Sequence, residues 1–283
     1  MRYTNKNNLP DPVVKALTSY DNNEAVQGLR VTTLIDSPRI SQLRKQHSNQ
    51  ITEDVSDLVW RVMGTAIHEV FEKAASNAYV SEERLQHKVN GTLISGAIDY
   101  QWESDGEVDL KDYKSTSTYS ITMGDKPEWE RQLNVYAYLI RHAKGLKVRS
   151  ASVVAVLRDW RRAEAERRGD YPQAPITEVP VTLWSDEEQD AYVTERVRLH
   201  RVAELEVDFH LPDCTPSEQW RREGSFAVHK GSNKRALKLF GNKEEAQEFA
   251  GQSDDRSVVE RPATLTRCEN NYCRVAEFCD QWR

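Results

Sequence analysis

Two triplets of the form carboxylate, any residue, lysine follow one another in the chain: Asp109-Leu110-Lys111 and Asp112-Tyr113-Lys114. A carboxylate can hold a hard cation. An ammonium beside it can orient a water or meet the charge that builds on a phosphate during hydrolysis. Period-two alternation from Glu107 to Lys114 predicts a strand, and the strand separates the two pairs. Val108, Leu110, Asp112 and Lys114 share one face; Glu107, Asp109, Lys111 and Tyr113 share the other. The first face starts apolar and should be packed, yet it carries a carboxylate and an ammonium. Burying those is costly unless each finds a partner, so Asp112 and Lys114 are the expected site pair. Gly96-Ala97-Ile98-Asp99 ends the preceding strand with another acid. If the strands Gly91–Asp99 and Glu107–Lys114 pair across the short turn, Asp99 comes near Asp112. Two carboxylates brought together repel unless a cation lies between them, and hard oxygen ligands favour Mg²⁺ or Mn²⁺.

Two further stretches carry polar groups on helical faces. In Gly64-Thr65-Ala66-Ile67-His68-Glu69-Val70-Phe71-Glu72 a histidine sits among apolar residues, and neutral imidazole is a good ligand for divalent transition ions. Gly64 costs a helix about 1 kcal/mol against alanine, which predicts a close-packing or functional reason for it. Glu72, one turn on from His68, is a candidate partner for the ring. In Trp129-Glu130-Arg131-Gln132-Leu133-Asn134-Val135-Tyr136, the amide of Gln132 and the phenol of Tyr136 are four apart and project from one face. Both can hydrogen-bond a phosphate or a base, and Tyr136 can also stack.

Taken in order, these pieces resemble the RecB-type branch of the PD-(D/E)XK nucleases, which includes the CRISPR-associated adaptation nucleases and many phage members. The resemblance rests on Gly64…His68, Gly96-Ala97-Ile98-Asp99, Asp112-Tyr113-Lys114 and Gln132…Tyr136, and covers about residues 31–157. It implies a restriction-endonuclease-like α/β core: a mixed central β-sheet flanked by helices. It implies His68, Asp99, Asp112 and the Tyr113 carbonyl as metal ligands, with Asp99, Asp112 and Lys114 as catalytic residues. Lys114 would orient or deprotonate the attacking water, and Gln132 and Tyr136 would position DNA. The implied activity is metal-dependent DNA hydrolysis by an exonuclease, in recombination, replication or end processing. DNA ends would be the substrate, and a helicase, a single-strand-binding protein or a recombinase would be the partner. The alternatives are a DNA-binding or assembly factor with a relic site, and an RNA-directed phosphodiesterase.

The same resemblance bears on the cysteines. Relatives often carry a [4Fe–4S] cluster with one Cys in a Cys-Pro-Arg stretch before the core and three after it, ending in Cys-x5-Cys. Cys273 and Cys279 keep that last spacing, but Ser37-Pro38-Arg39 stands where the first cysteine would be. Either the cluster is lost or Cys214 replaces the missing ligand. Cys214, Cys268, Cys273 and Cys279 would then supply the thiolates for [4Fe–4S] or for Zn²⁺.

The elements that must position these groups are legible from periodicity and punctuation. Residues 1–30 read as an N-terminal arm with a short helix over Pro12–Leu17, and residues 31–211 as the core with its flanking helices. Residues 212–283 form a C-terminal appendage with a hairpin, a helix and the cysteines. Ser37 and Pro38 open a helix reaching about His47, and a longer one is expected from Asp54 to Asn77. Strands follow over Gln86–Val89, Gly91–Asp99 and Glu107–Lys114, then a helix over Lys126–His142 and a strand over Ala151–Leu157. Arg158–Gly169 reads as a charged loop or short helix, and Pro172–Pro180 as an extended linker. Ser185 caps a helix to about Val207. Phe226–Val228 and Ala236–Phe240 form the hairpin, whose Lys230, Lys234, Arg235 and Lys238 could meet DNA or a partner. A helix follows over Lys243–Ala250.

Composition predicts a soluble intracellular globular protein, with the cytoplasm as its expected place. The 283 residues carry 39 Lys and Arg against 45 Asp and Glu, a net charge of −6. That balance argues against a protein that coats nucleic acid along its length and leaves room for one basic groove. No stretch approaches the ~18 apolar residues of a membrane span, and the polar start does not read as a secretory signal. The 4 cysteines are too few for a disulfide framework.

Overall fold

The computed structural model describes residues 2–19, 28–74, 79–122, 126–206, 210–270 and 272–283. These fall into two compact units, one of residues 1–38 and 49–205, the other of residues 39–48 and 206–283.

Alternation of apolar residues builds the sheets of the first unit. β1 (Arg2–Thr4), α1 (Asp11–Ser19), β2 (Leu29–Arg30) and α2 (Val31–Leu34) open the chain. α3 (Pro38–Gln46) follows, then β3 (Thr52–Asp54), a 3₁₀ turn over Val55–Leu58, and α4 (Val59–Lys73). The long helix expected from Asp54 thus starts with a 3₁₀ turn, capped by the Asp54 side chain accepting from Ser56 N. Its expected end at Asn77 lies outside the described residues. The arm is tied down: β1 pairs in parallel with β3, and Asp54 also accepts from Thr4 Oγ1 and Lys6 N.

Next come β4 (Glu83–Val89), β5 (Thr92–Ile98), β6 (Tyr100–Ser104) and β7 (Glu107–Thr116). They are followed by α5 (Thr118–Thr122), α6 (Pro127–Lys144), β8 (Lys147–Leu157), α7 (Arg162–Arg167), β9 (Ile176–Val181) and α8 (Asp186–Leu205). The strands run in the orders β2-β5-β4 and β6-β7-β8-β9. β7 and β8 are parallel with α6 as their crossover, while β6 and β9 run antiparallel to their neighbours, so this sheet is mixed. This is the architecture the sequence led us to expect. Two differences have local causes. The chain bends at Asp99, so β6, and not the strand Gly91–Asp99, pairs with β7. The expected linker over Pro172–Pro180 becomes edge strand β9, where Pro180 is tolerated because an edge needs no second set of hydrogen bonds.

α6 is the centre of the core. Pro127 stands at its first turn, and Gly145 ends it at φ 69°, in the left-handed region. Leu133, Val135, Leu139 and Ile140 are fully buried against Ile94, Ile98, Val108, Leu110 and Val153. α8 opens with a reciprocal cap: Glu188 N donates to Ser185 Oγ, and Ser185 N donates to the Glu188 carboxylate.

In the second unit β11 (Ser225–Lys230) and β12 (Lys238–Phe240) form the expected hairpin, with Phe226 opposite Phe240. β13 (Arg256–Arg261) adds a third strand, and α9 (Lys243–Gly251) packs on the sheet. β10 (Arg221–Arg222) pairs with β14 (Thr264–Leu265), ahead of α10 (Thr266–Glu269). Arg39, 2% exposed, explains why the helix after Ser37 belongs with the C-terminal residues. Its guanidinium donates to the Leu211 and Pro212 carbonyls and to Asp213 and Asp280. No helix among the described residues is long and apolar enough to cross a membrane.

Candidate active site

The two triplets of β7 have different fates. Asp109 takes Arg149 at 2.5 Å and Lys111 takes Glu178 at 2.8 Å, ion pairs on the outer face of the sheet. On the inner face Val108, Leu110 and Asp112 are 0%, 0% and 1% exposed, so a carboxylate is sealed where the apolar alternation predicted a packed surface. The Gln132 amide donates to Asp112 Oδ1 at 2.9 Å, and Lys114 Nζ is 2.6 Å from Asp112 Oδ2. Burial pushes the Asp112 pKa up to about 6, against the pull of the Lys114 ammonium and with a smaller push from Asp99.

Asp99 reaches the same place from the bend between β5 and β6. It is buried, its main-chain carbonyl accepts from Ser81 Oγ, and its Oδ2 accepts from Tyr113 N at 2.7 Å. The expected nearness of Asp99 to the Asp112 triplet therefore arises through the Tyr113 backbone, without direct pairing of their strands.

α4 lies over β7, held in part by an edge contact between Phe71 and Tyr113 with ring centroids 4.7 Å apart. It delivers His68. Nε2 is 3.0 Å from the Tyr113 carbonyl oxygen; Nδ1 is 3.3 Å from Asp99 Oδ1 and 3.4 Å from Glu82 Oε1. Both ring nitrogens thus face acceptors, which favours the doubly protonated ring. Hydrogen bonds to Asp99 and Glu82 outweigh burial and raise the His68 pKa to about 10.

Gln132 and Tyr136, which the resemblance would set against DNA, share one face of α6, and that face is turned to Asp112. Both are buried, and Gln132 Nε2 also lies 3.0 Å from the Tyr136 hydroxyl oxygen. Facing inward, they have a buried carboxylate to hold and little surface for a strand. Burial holds the Tyr136 phenol protonated far above its usual range. Gly96, three residues before Asp99, is needed for this packing. A Cβ there would lie 2.6 Å from Tyr136 Cε1 and 2.9 Å from Val31 Cγ2. Gly64 is the opposite case: a Cβ would meet nothing within 4 Å, so close packing does not explain it.

Glu72 is exposed, and the partner of His68 is Glu82, which sequence reasoning missed. The pair Glu82-Glu83 carries no local signal to tell its members apart. Glu83 turns to Gln101 and Lys144, while Glu82, at φ 52° in the left-handed region rarely used by such a residue, turns to the histidine.

The donor set fits a hard divalent cation. His68, Glu82 and Asp99 offer ligand atoms within 4.8 Å of one another, the Tyr113 carbonyl is beside them, and Asp112 is buried next to them. In the protein alone, the charges of Asp99 and Asp112 are met by the His68 imidazolium and the Lys114 ammonium.

The cysteines form a second candidate centre, within the second unit. None of them forms a disulfide, and Cys214, Cys268, Cys273 and Cys279 line one pocket with Ile40, Val275 and Ala276. Cys214 is held by Gln281, whose side chain accepts from Cys214 N and donates to Cys214 O. Arg39 clamps the neighbours Asp213 and Asp280, so one buried guanidinium joins the chain beside Cys214 to the chain beside Cys279. Burial raises the pKa of the Cys268 and Cys273 thiols.

No protein-family model matches the chain, and no curated protein does. Among solved structures, the protein SSO0001 is similar at 15% identity, with a TM-score of 0.44 over 67% of this chain and 83% of that one. An exonuclease candidate from Eubacterium rectale is similar at 14% identity, with a TM-score of 0.31 over 59% of this chain. This chain spans 62% of the latter's length.

Proposed function

We propose that this chain is a divalent-metal-dependent nuclease that hydrolyses DNA phosphodiester bonds, acting as an exonuclease. The observation that carries the reading is the buried Asp112 carboxylate, placed between Lys114 and Gln132 and beside Asp99, the Tyr113 carbonyl and His68. A fold does not bury a charge of that kind cheaply, and such expenditure concentrates at functional sites.

In this reading Asp99, Asp112, the Tyr113 carbonyl and His68 hold Mg²⁺ or Mn²⁺. The ion, when bound, supplies Lewis-acid charge to the phosphate and lowers the pKa of water. The protein's own groups do the rest. Gln132 fixes the Asp112 carboxylate through Oδ1 and so leaves Oδ2 facing Lys114. The half-exposed ammonium of Lys114 is free to turn from Asp112 to the attacking water or to a non-bridging oxygen, where it meets negative charge as it develops. His68 releases a ring proton when one of its nitrogens becomes a ligand. The thiols of Cys214, Cys268, Cys273 and Cys279 fit a [4Fe–4S] cluster or Zn²⁺, in a structural role within their own unit.

The test is digestion of end-labelled linear DNA, single- and double-stranded, with Mg²⁺, Mn²⁺ or EDTA. Wild type is expected to degrade it only with metal. Lys114→Ala should be at least about a hundredfold slower, the usual loss of a group that meets transition-state charge. Cleavage that survives Lys114→Ala would sink the assignment, and the product ladder gives the mode of attack.

A further inference from the structure

Beyond the buried site, β7 runs on to an exposed patch of aromatic and arginine side chains. Thr116 is two residues past Lys114 and on the same face, about 7 Å further along the strand. Its carbonyl accepts from Arg158 N at 2.9 Å. The Arg158 guanidinium stands over the Trp60 indole, 4.2 Å from the ring centre. Trp60 is on α4, two turns before His68 and about 12 Å from it along the axis. It is 57% exposed, and Tyr119 of α5 is 56% exposed. α5 is fixed to the same corner, because Thr118 N and Oγ1 both donate to Asp159.

Charge is concentrated here as well. Residues 158–168 hold Arg158, Arg161, Arg162, Arg167 and Arg168 against Asp159, Glu164 and Glu166, a net +2 in a chain whose net charge is −6. Arg168 is paired with Asp170, but among the described residues no carboxylate pairs with Arg158, Arg161 or Arg162, and all three are exposed.

We infer that Trp60 and Arg158 form a subsite for single-stranded nucleic acid, in which a base stacks on the indole and the following arginines meet the backbone phosphates. This rests on the nuclease reading of the neighbouring site and names the form of its substrate. An indole face can accept only a base whose own face is free, so the subsite selects a strand that is not paired and stacked in a duplex. Stacking reads no base identity, which suits an enzyme that must advance over any sequence. The distance from His68 places the stacked base a short way along the strand from the scissile phosphate. Arg158 has two contributions: it holds the ring by a cation–π contact and offers charge to a phosphate.

The experiment is equilibrium binding of a fluorescent oligo-dT by the full chain in EDTA, so that the strand stays intact. An abasic strand of equal length and a duplex are the comparisons. Trp60→Ala should weaken oligo-dT binding about tenfold, as loss of a stacking aromatic does, and Trp60→Phe should recover most of it. Duplex affinity should change by less than about twofold, because no base face is offered there. The wild type should bind the abasic strand as weakly as Trp60→Ala binds oligo-dT. Arg158→Ala should reduce the salt dependence of binding by about one counterion. Unchanged oligo-dT affinity in Trp60→Ala, or equal wild-type affinity for abasic and base-bearing strands, would overturn the subsite. The nuclease reading fails separately, through metal-dependent cleavage that is absent or insensitive to Lys114→Ala. Trp60-dependent binding without cleavage would keep the strand site and remove the enzyme.

Discussion

The acidic site of the first unit and the cysteine pocket of the second solve different electrostatic problems. Around Asp99 and Asp112 the protein brings its own cations: the imidazolium of His68 faces one carboxylate and the ammonium of Lys114 faces the other. The His68 ring also faces Glu82, so three carboxylates meet two cations, and most of the negative charge is met before any ion arrives. In the pocket lined by the four cysteines burial raises the pKa of the Cys268 and Cys273 thiols, and repulsion from neighbouring cysteines adds to the rise. A cysteine set of this kind is neutral when empty and becomes anionic only when something cationic draws the protons off. The first site should therefore keep its geometry without metal, whereas the second should depend on its ligand.

Chelation and Cys273→Ala should have the largest effect on the second unit. If the pocket holds iron or zinc, both should release it and destabilise the second unit by several kcal/mol, since metal binding there is coupled to folding. Metal analysis of the purified protein and its unfolding curve with and without chelator are the readouts. A metal-free protein whose unfolding ignores both treatments would make the cysteines plain core thiols.

His68 sharpens the other half. Its pKa rises from 6.5 to about 10 in the folded, metal-free protein, so the folded state binds the proton more tightly than the unfolded one. The resulting stability is fully present below the unfolded value and is lost as pH climbs toward 10. NMR of the EDTA-treated protein should show a His68 ring still protonated at pH 8, and a ring that titrates near 6.5 would contradict an imidazolium held between Asp99 and Glu82.

Asp112 is the counter-case. Its folded pKa of about 6 lies above the ordinary 3.8, so the charged form weakens the fold at neutral pH and the penalty fades as pH falls through 6. Asp112→Asn should abolish cleavage and yet raise the melting temperature in EDTA at pH 8, by about 2–4 °C for each kcal/mol recovered. A lower melting temperature would mean that the partnership with Lys114 outweighs the cost of burial.

The glycines set the smallest effects. Gly96→Ala forces a Cβ onto the Tyr136 ring and should cost about 1–3 kcal/mol, with cleavage reduced because Tyr136 supports Gln132 and hence Asp112. Gly64→Ala meets open space in α4 and should stabilise the fold by up to about 1 kcal/mol. Calorimetry of the two variants separates a glycine required by packing from one that packing does not explain.

Period-two alternation was enough to assign the inward face of β7. That periodicity singled out Asp112 over Asp109, and Ser185 marked the start of α8 as its cap. Tertiary structure alone decided the rest. The bend after Ile98 let β6 take the place beside β7, a choice between two strands that local pattern does not distinguish. A left-handed turn sent Glu82, and not Glu83, to His68, and no property of two adjacent glutamates foretells that. Gln132 and Tyr136 point to Asp112 and not to solvent because α6 is enclosed on nearly every side, and a helix learns what covers it only when its neighbours arrive. Arg39 joins residues 172 to 241 positions away in sequence, and such closures are invisible until the chain has folded.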